Sequence, residues 1–166
     1  HADWIIHSDA DEFWVSDQGS LKESLRLVSE EIDVLSVPRS NFLPPEGREV
    51  GPFFTRMTVR ERESLSWVGL PLPPKVCHRP MRDLEIADGN HAVSIAGAAL
   101  PASEEHDIRI LHFPARTYYQ FERKIRLGTE AVRRNPRLDE GIGRTWRYLY
   151  DTYAKNGRFQ EYYACL

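Results

Sequence analysis

The chain has 166 residues, 41% of them hydrophobic and 28% charged, a composition that supports one globular domain with a core of its own. Lys and Arg number 22 against 25 Asp and Glu, a net charge of -3, so no basic field draws the chain to nucleic acid or to an anionic membrane surface. No apolar run approaches the roughly 20 residues of a membrane span. Cys77 and Cys165 form neither a disulfide framework nor a CxxC metal site and do not themselves fix the compartment. A cytoplasmic protein with neither a nucleic-acid partner nor a membrane span is the expectation.

The sequence opens on what reads as a buried strand, centred on Trp4, Ile5 and Ile6, and a chain seldom begins in mid-sheet. The expectation is a single domain, 1–166, that forms the C-terminal portion of a larger one, with an acid-loop and sheet region over 1–116 and helices over 117–166. The first strand runs into Ser8-Asp9-Ala10-Asp11-Glu12-Phe13-Trp14, read as a strand-to-loop junction. Ser20 with Glu23 makes a capping box, and Leu21, Leu25, Leu27 and Val28 recur near the helical period, which predicts a helix to about Glu31. Ile32, Val34, Leu35 and Val37 predict a short strand ended by Pro38.

From Arg39 to Pro74 the pairs Pro44-Pro45 and Gly51-Pro52 and the run Pro71-Leu72-Pro73-Pro74 predict long loops with at most one irregular strand. Short strands follow at Lys75–Arg79 and Leu84–Ile86. The turn Asp88-Gly89-Asn90 then delivers His91 to a strand over Ala92–Ile95. Ile108–Phe113 alternates and ends at Pro114. Tyr118, Phe121, Ile125 and Gly128 share one face of a helix predicted from Thr117 to Arg134. Trp146, Leu149, Tyr150 and Tyr153 predict another, ended by Asn156-Gly157.

Three carboxylates in four residues at the end of a buried strand repel one another unless a cation or solvent relieves them. An isolated acidic pair of this kind is most often a solvated turn. Here the apolar lead-in and Phe13-Trp14 enclose the acids, and burial without a partner would be costly. Hard oxygen ligands suit Mg²⁺ or Mn²⁺, and such an ion completes its shell with water and phosphate oxygens. His91 and His112 lie at strand positions from which a neutral ring nitrogen could join Asp11 as a metal ligand. His78 and His106 sit in charged, turn-rich surroundings and read as structural. Arg116 and Lys124 are placed to clamp a phosphate or a departing diphosphate, whereas Arg123 and Arg126 read as a solvated helix face.

Together these residues resemble glycosyltransferases of the GT-A fold, close to family 2. The likeness rests on an apolar strand ending in Asp9-Ala10-Asp11-Glu12-Phe13, on Lys75, and on Gly89-Asn90-His91. It continues with Leu111-His112-Phe113, Arg116-Thr117, Gln120-Phe121-Glu122-Arg123-Lys124 and Gly128, and covers about residues 1–130. It implies an α/β fold with a mixed sheet flanked by helices, its N-terminal nucleotide-binding half lying before His1. It further implies a nucleotide-diphosphate sugar donor, a sugar, lipid or protein acceptor, and Mn²⁺ or Mg²⁺. Asp9, Asp11 and Arg116 would contact the donor, and Asp11 with His91 and His112 would hold the metal. Glu12 and Lys124 are the candidate catalytic groups, with Glu61 and Glu63 as further available carboxylates. Two other readings stand beside this one: a non-catalytic carbohydrate- or protein-binding domain of the same fold, and a metal-dependent phosphohydrolase.

Overall fold

The computed structural model describes residues 2–44, 51–66, 69–139 and 141–166; Pro45 of the predicted proline-rich loop lies outside them. The fold mixes α and β structure. It divides into two compact units, His1–Ser40 with Pro71–His112, and Asn41–Leu70 with Phe113–Leu166. Among the described residues no helix is long and apolar enough to cross a membrane.

In the first unit β1 (Ile5–Ile6) pairs with β5 (Lys75–His78), which pairs in turn with β3 (Val34–Val37). All four residues of β3 and all four of β5 are buried. Leu35, Val37 and Cys77 pack with Leu25, Ile108 and Ile110 into one core, while Val34, Val76 and Val93 form a second cluster. The near-continuous apolar pattern of these strands follows from that two-sided cover. A second sheet orders β2 (Glu12–Ser16), β9 (Ile108–His112) and β4 (Arg39–Asn41). A third joins β6 (Leu84–Ile86), β7 (Val93–Ile95) and β8 (Ala98–Ala99). The ladders β1·β5, β3·β5, β2·β9, β6·β7 and β7·β8 are all antiparallel. Where the resemblance implies a mixed sheet, the strands among the described residues form three small sheets.

Two local differences from the sequence reading have clear causes. Phe13 and Trp14 belong to β2, so the acidic run is a turn between two strands rather than the end of one. Helix α1 spans Leu21–Leu27, with the Ser20–Glu23 capping box in place. It stops short of Glu31 because Val28 adopts extended backbone at ψ 129°, and Leu27, 87% exposed, has no core to hold a further turn.

In the second unit α2 (Phe53–Arg56) is a single turn. Helix α3 (Tyr118–Arg134) is capped by the Thr117 hydroxyl, which accepts from Gln120 N–H. Helix α4 (Arg144–Leu149) continues as a π-helical turn over Tyr150–Ala154, and α5 (Phe159–Tyr163) follows. Phe121, Ile125, Leu149, Ala154 and Phe159 form the core of this unit. Helix α5 was missed in the sequence because its five residues are too few to show a period.

Gly128 sets how closely α3 approaches α4, since a Cβ there would stand 2.5 Å from Trp146 Cε3. Helix propensity alone favours Ala over Gly by about 1 kcal/mol. Gly128→Ala is nonetheless expected to lower stability by about 1 to 3 kcal/mol, because Trp146 must leave its packed position. Urea unfolding monitored by tryptophan fluorescence checks the sign.

Candidate functional site

The acidic turn is built from its own backbone. Glu12 N–H donates to the Asp9 carbonyl at 3.0 Å, Asp9 N–H donates to Glu12 Oε2 at 3.3 Å, and the Ser8 hydroxyl donates to the Glu12 carbonyl at 3.1 Å. These bonds fix Asp9-Ala10-Asp11-Glu12 as a closed turn and send the three carboxylates in different directions. Asp9 is exposed, while Asp11 and Glu12 are buried at 6% and 5% exposure.

Glu12 starts β2 facing inward and lies opposite His112 in the β2·β9 register. Its buried carboxylate meets two cations: Arg39 Nη1 at 3.4 Å and Lys75 Nζ at 3.5 Å from Oε1. Lys75 is 1% exposed because it opens a strand buried on all sides, and its ammonium donates to Asp9 Oδ2 at 2.7 Å. Arg39 is oriented by a second bond, from Nε to the Pro73 carbonyl at 2.9 Å. Burial pulls the Arg39 guanidinium down from its ordinary pKa, and Glu12, Asp9 and Asp11 oppose that pull. Lys75 thus pairs with Asp9 and Glu12, and Arg39 pairs with Glu12.

The third acid faces an imidazole. His112 Nε2 lies 3.6 Å from Asp11 Oδ2. Strand β9 alternates, with Ile108, Ile110 and His112 turned inward, so the period of the strand carries the histidine to the same side as its core residues.

His91 is held differently. Its Nδ1 donates to the Pro74 carbonyl at 2.7 Å, which fixes the tautomer and leaves Nε2 as a lone pair. The ring lies against Gly89, where a Cβ would stand 2.7 Å from Nε2 and where φ is +78°, so both space and backbone require glycine. Burial lowers the His91 pKa. The Pro74 carbonyl opposes this, Arg39 and Lys75 reinforce it, and Glu12 counters it.

The other sequence candidates have structural partners. His78, 3% exposed, receives His7 at 3.2 Å between their Nε2 atoms and donates from Nδ1 to the Arg79 carbonyl at 2.8 Å. His106 donates to the Ser36 carbonyl and accepts from Ile108 N–H. In the second unit Glu61 accepts from Asn41 Nδ2 and Leu65 N–H, Arg116 lies over the Phe53 ring at 5.2 Å, and Arg126 binds Glu122 and the Ala154 carbonyl. Arg123 and Glu63 are exposed, and Lys124 is half-buried on α3.

The turn thus brings Asp9, Asp11 and Glu12 together with Lys75, Arg39 and His112. Arg39 was missed in the sequence. Its only signal there is a cation directly after the strand-ending Pro38. Among the described residues no three His, Cys, Asp or Glu side chains converge as a metal-binding group. Comparison with protein-family models, curated proteins and solved structures finds no match.

Glu12, with its side chain fully buried under two cations, is placed as an anchor of the turn rather than as a base that exchanges protons with a substrate. Lys75→Met is expected to cost about 3 kcal/mol, since it leaves Glu12 buried beside Arg39 alone. Chemical unfolding of the variant measures this, and pairing it with Glu12→Gln should recover part of the loss.

The His91 shift has a pH consequence. Its folded pKa lies below the usual 6.5, so the unfolded chain binds more protons between the two values. The resulting stabilisation is complete above about pH 6.5 and is lost as pH falls through the window beneath it. His7, lowered by burial and by His78, acts in the same direction. Unfolding free energies at about pH 7.5 and about pH 5.5 should therefore differ less in His91→Gln than in the parent, with a residual slope from His7.

Proposed function

We propose that the protein is a metal-dependent glycosyltransferase that moves a sugar from a nucleotide-diphosphate donor to an acceptor hydroxyl. The observation that carries the reading is the buried Asp11 beside His112, on a turn held in place by Lys75 and Arg39. A carboxylate oxygen and an imidazole nitrogen suit Mn²⁺, and a carboxylate alone suits Mg²⁺. An ion bound by one or two protein groups fills the rest of its shell with water and phosphate oxygens, so a site with few protein ligands is what a diphosphate donor calls for. When bound, the ion would neutralise charge on the departing diphosphate.

The remaining roles belong to the chain. Asp9, exposed and steadied by Lys75, offers its carboxylate to the donor. Lys75 and Arg39 hold the turn so that Asp11 is presented without a rearrangement. His91, with Nδ1 committed to Pro74, does not converge with Asp11 and His112 into a three-ligand group among the described residues and enters as a ligand through the resemblance alone. Arg116 and Lys124 enter through the resemblance alone, as cations for the diphosphate.

Asp11→Asn keeps the size of the side chain and removes its charge. It is expected to leave the protein folded while weakening Mn²⁺-dependent binding of uridine or guanosine diphosphate tenfold or more, about 1.4 kcal/mol. Calorimetric titration of the full-length protein with and without Mn²⁺ checks it. Unchanged binding by the folded variant would remove Asp11 from the site and favour the non-catalytic binding reading.

A further inference from the structure

Arg39 and His91 come from separate parts of the chain, and the proline run joins them. Arg39 Nε donates to the Pro73 carbonyl at 2.9 Å, and His91 Nδ1 donates to the Pro74 carbonyl at 2.7 Å. Proline fixes φ at both positions, and Pro74 holds Pro73 in extended backbone, so the two anchors sit on a stretch with little freedom to move. Both side chains border the acidic turn. Arg39 pairs with Glu12, and His91 feels the charges of Arg39, Lys75 and Glu12.

Each anchored side chain keeps one polar atom uncommitted. The Arg39 side chain is 8% exposed. Its Nε is taken by Pro73 and its Nη1 by Glu12, while Nη2 has no acceptor among the described residues and reaches solvent. His91 Nε2 has no donor among the described residues and also reaches solvent. Gly89 keeps it open, since a Cβ there would stand 2.7 Å from Nε2 and 2.8 Å from Cδ2. With Nδ1 donating, Nε2 accepts. The border of the turn therefore presents one donor and one acceptor whose roles are fixed before a ligand arrives. Asp9, its side chain 54% exposed, adds Oδ1 as a second acceptor, because Lys75 holds Oδ2.

We propose that Arg39 Nη2 and His91 Nε2 together bind a hydroxyl-bearing sugar unit, Nη2 donating to one hydroxyl oxygen and Nε2 accepting the proton of another in a hydrogen bond. A hydroxyl both donates and accepts, so neighbouring hydroxyls of one ring satisfy the pair. A fully ionised phosphate offers acceptors alone and leaves Nε2 unmet, and the exposed Asp9 carboxylate repels it. The sugar is either the ribose of a nucleotide or the sugar that a donor carries. That choice of ligand rests on the transferase reading, whereas the recognition of hydroxyls is measurable without it. Nε2 then serves as a hydrogen-bond acceptor instead of a metal ligand, in keeping with the absence of a three-ligand group among the described residues.

The test is an NMR titration of the full chain, without metal or nucleotide, that reads Arg39 Nε–H and the His91 ring. The probes are a ribose phosphate, a glucose phosphate, methyl phosphate and N-methylacetamide, the last standing for a peptide group. Saturable shifts at both residues in the millimolar range are expected with one sugar phosphate or both, and the stronger identifies the sugar. Methyl phosphate and N-methylacetamide should leave the His91 ring unshifted. His91→Phe keeps a ring and removes the acceptor, and Arg39→Lys keeps a charge beside Glu12 and removes Nη2; each should weaken sugar phosphate binding severalfold. His91→Gln, whose amide supplies both a donor for Pro74 and an acceptor, should retain part of it. Failure of either residue to shift with both sugar phosphates, an equal His91 shift with methyl phosphate, a shift with N-methylacetamide alone, or binding by folded His91→Phe and Arg39→Lys proteins equal to the parent's would overturn the assignment. Because metal and nucleotide are left out, each of these results is separate from the Mn²⁺-dependent binding that tests the transferase reading.

Discussion

Burial of Glu12 and Lys75 in the same small volume is the constraint on which the first unit is arranged. Each ion would be strongly destabilising alone in the interior. Strand β5 cannot seat its first residue without an anion, and β2 cannot begin facing inward without a cation. Meeting both needs at once brings the start of β5 against the start of β2 and fixes the turn between β1 and β2. Arg39, carried in just after β3, supplies the second cation. The pair is therefore a registration device as much as a source of stability: it states which strand ends must be neighbours.

That device has a chemical by-product. Asp11 lies beside the His112 ring, on a turn closed by backbone bonds. A preformed group of this kind spends little free energy on reorganisation when an ion or ligand arrives. The same economy holds at His91, where the Pro74 carbonyl chooses the tautomer before any ligand is present.

Much of this was legible in the sequence where the code is local. The Ser20–Glu23 box, the Thr117 start of α3 and the alternation of Ile108, Ile110 and His112 each depend on residues a few positions apart, and each appears in the structure. The acidic run was legible as a site of strain, but its relief was not. Lys75 lies 66 residues from Asp9 and Arg39 lies 27 from Glu12, and no period or spacing connects such pairs. Strand β2 was hidden because the acids masked the strand character of Phe13 and Trp14, whose pairing with β9 is a tertiary effect.

The central claim is that the turn presents Asp11, with His112, as its ion-binding point while Asp9 and Glu12 are held by cations. Paramagnetic broadening by Mn²⁺ in the presence of uridine diphosphate tests it most directly, because the loss of each amide signal reports proximity to the ion without any substitution. The account predicts that the signals of Asp11 and His112 disappear at the lowest Mn²⁺ concentration, ahead of those of exposed acids such as Glu130 and Asp139. Broadening that begins at those exposed acids, or spares residues 11 and 112 throughout, would contradict it.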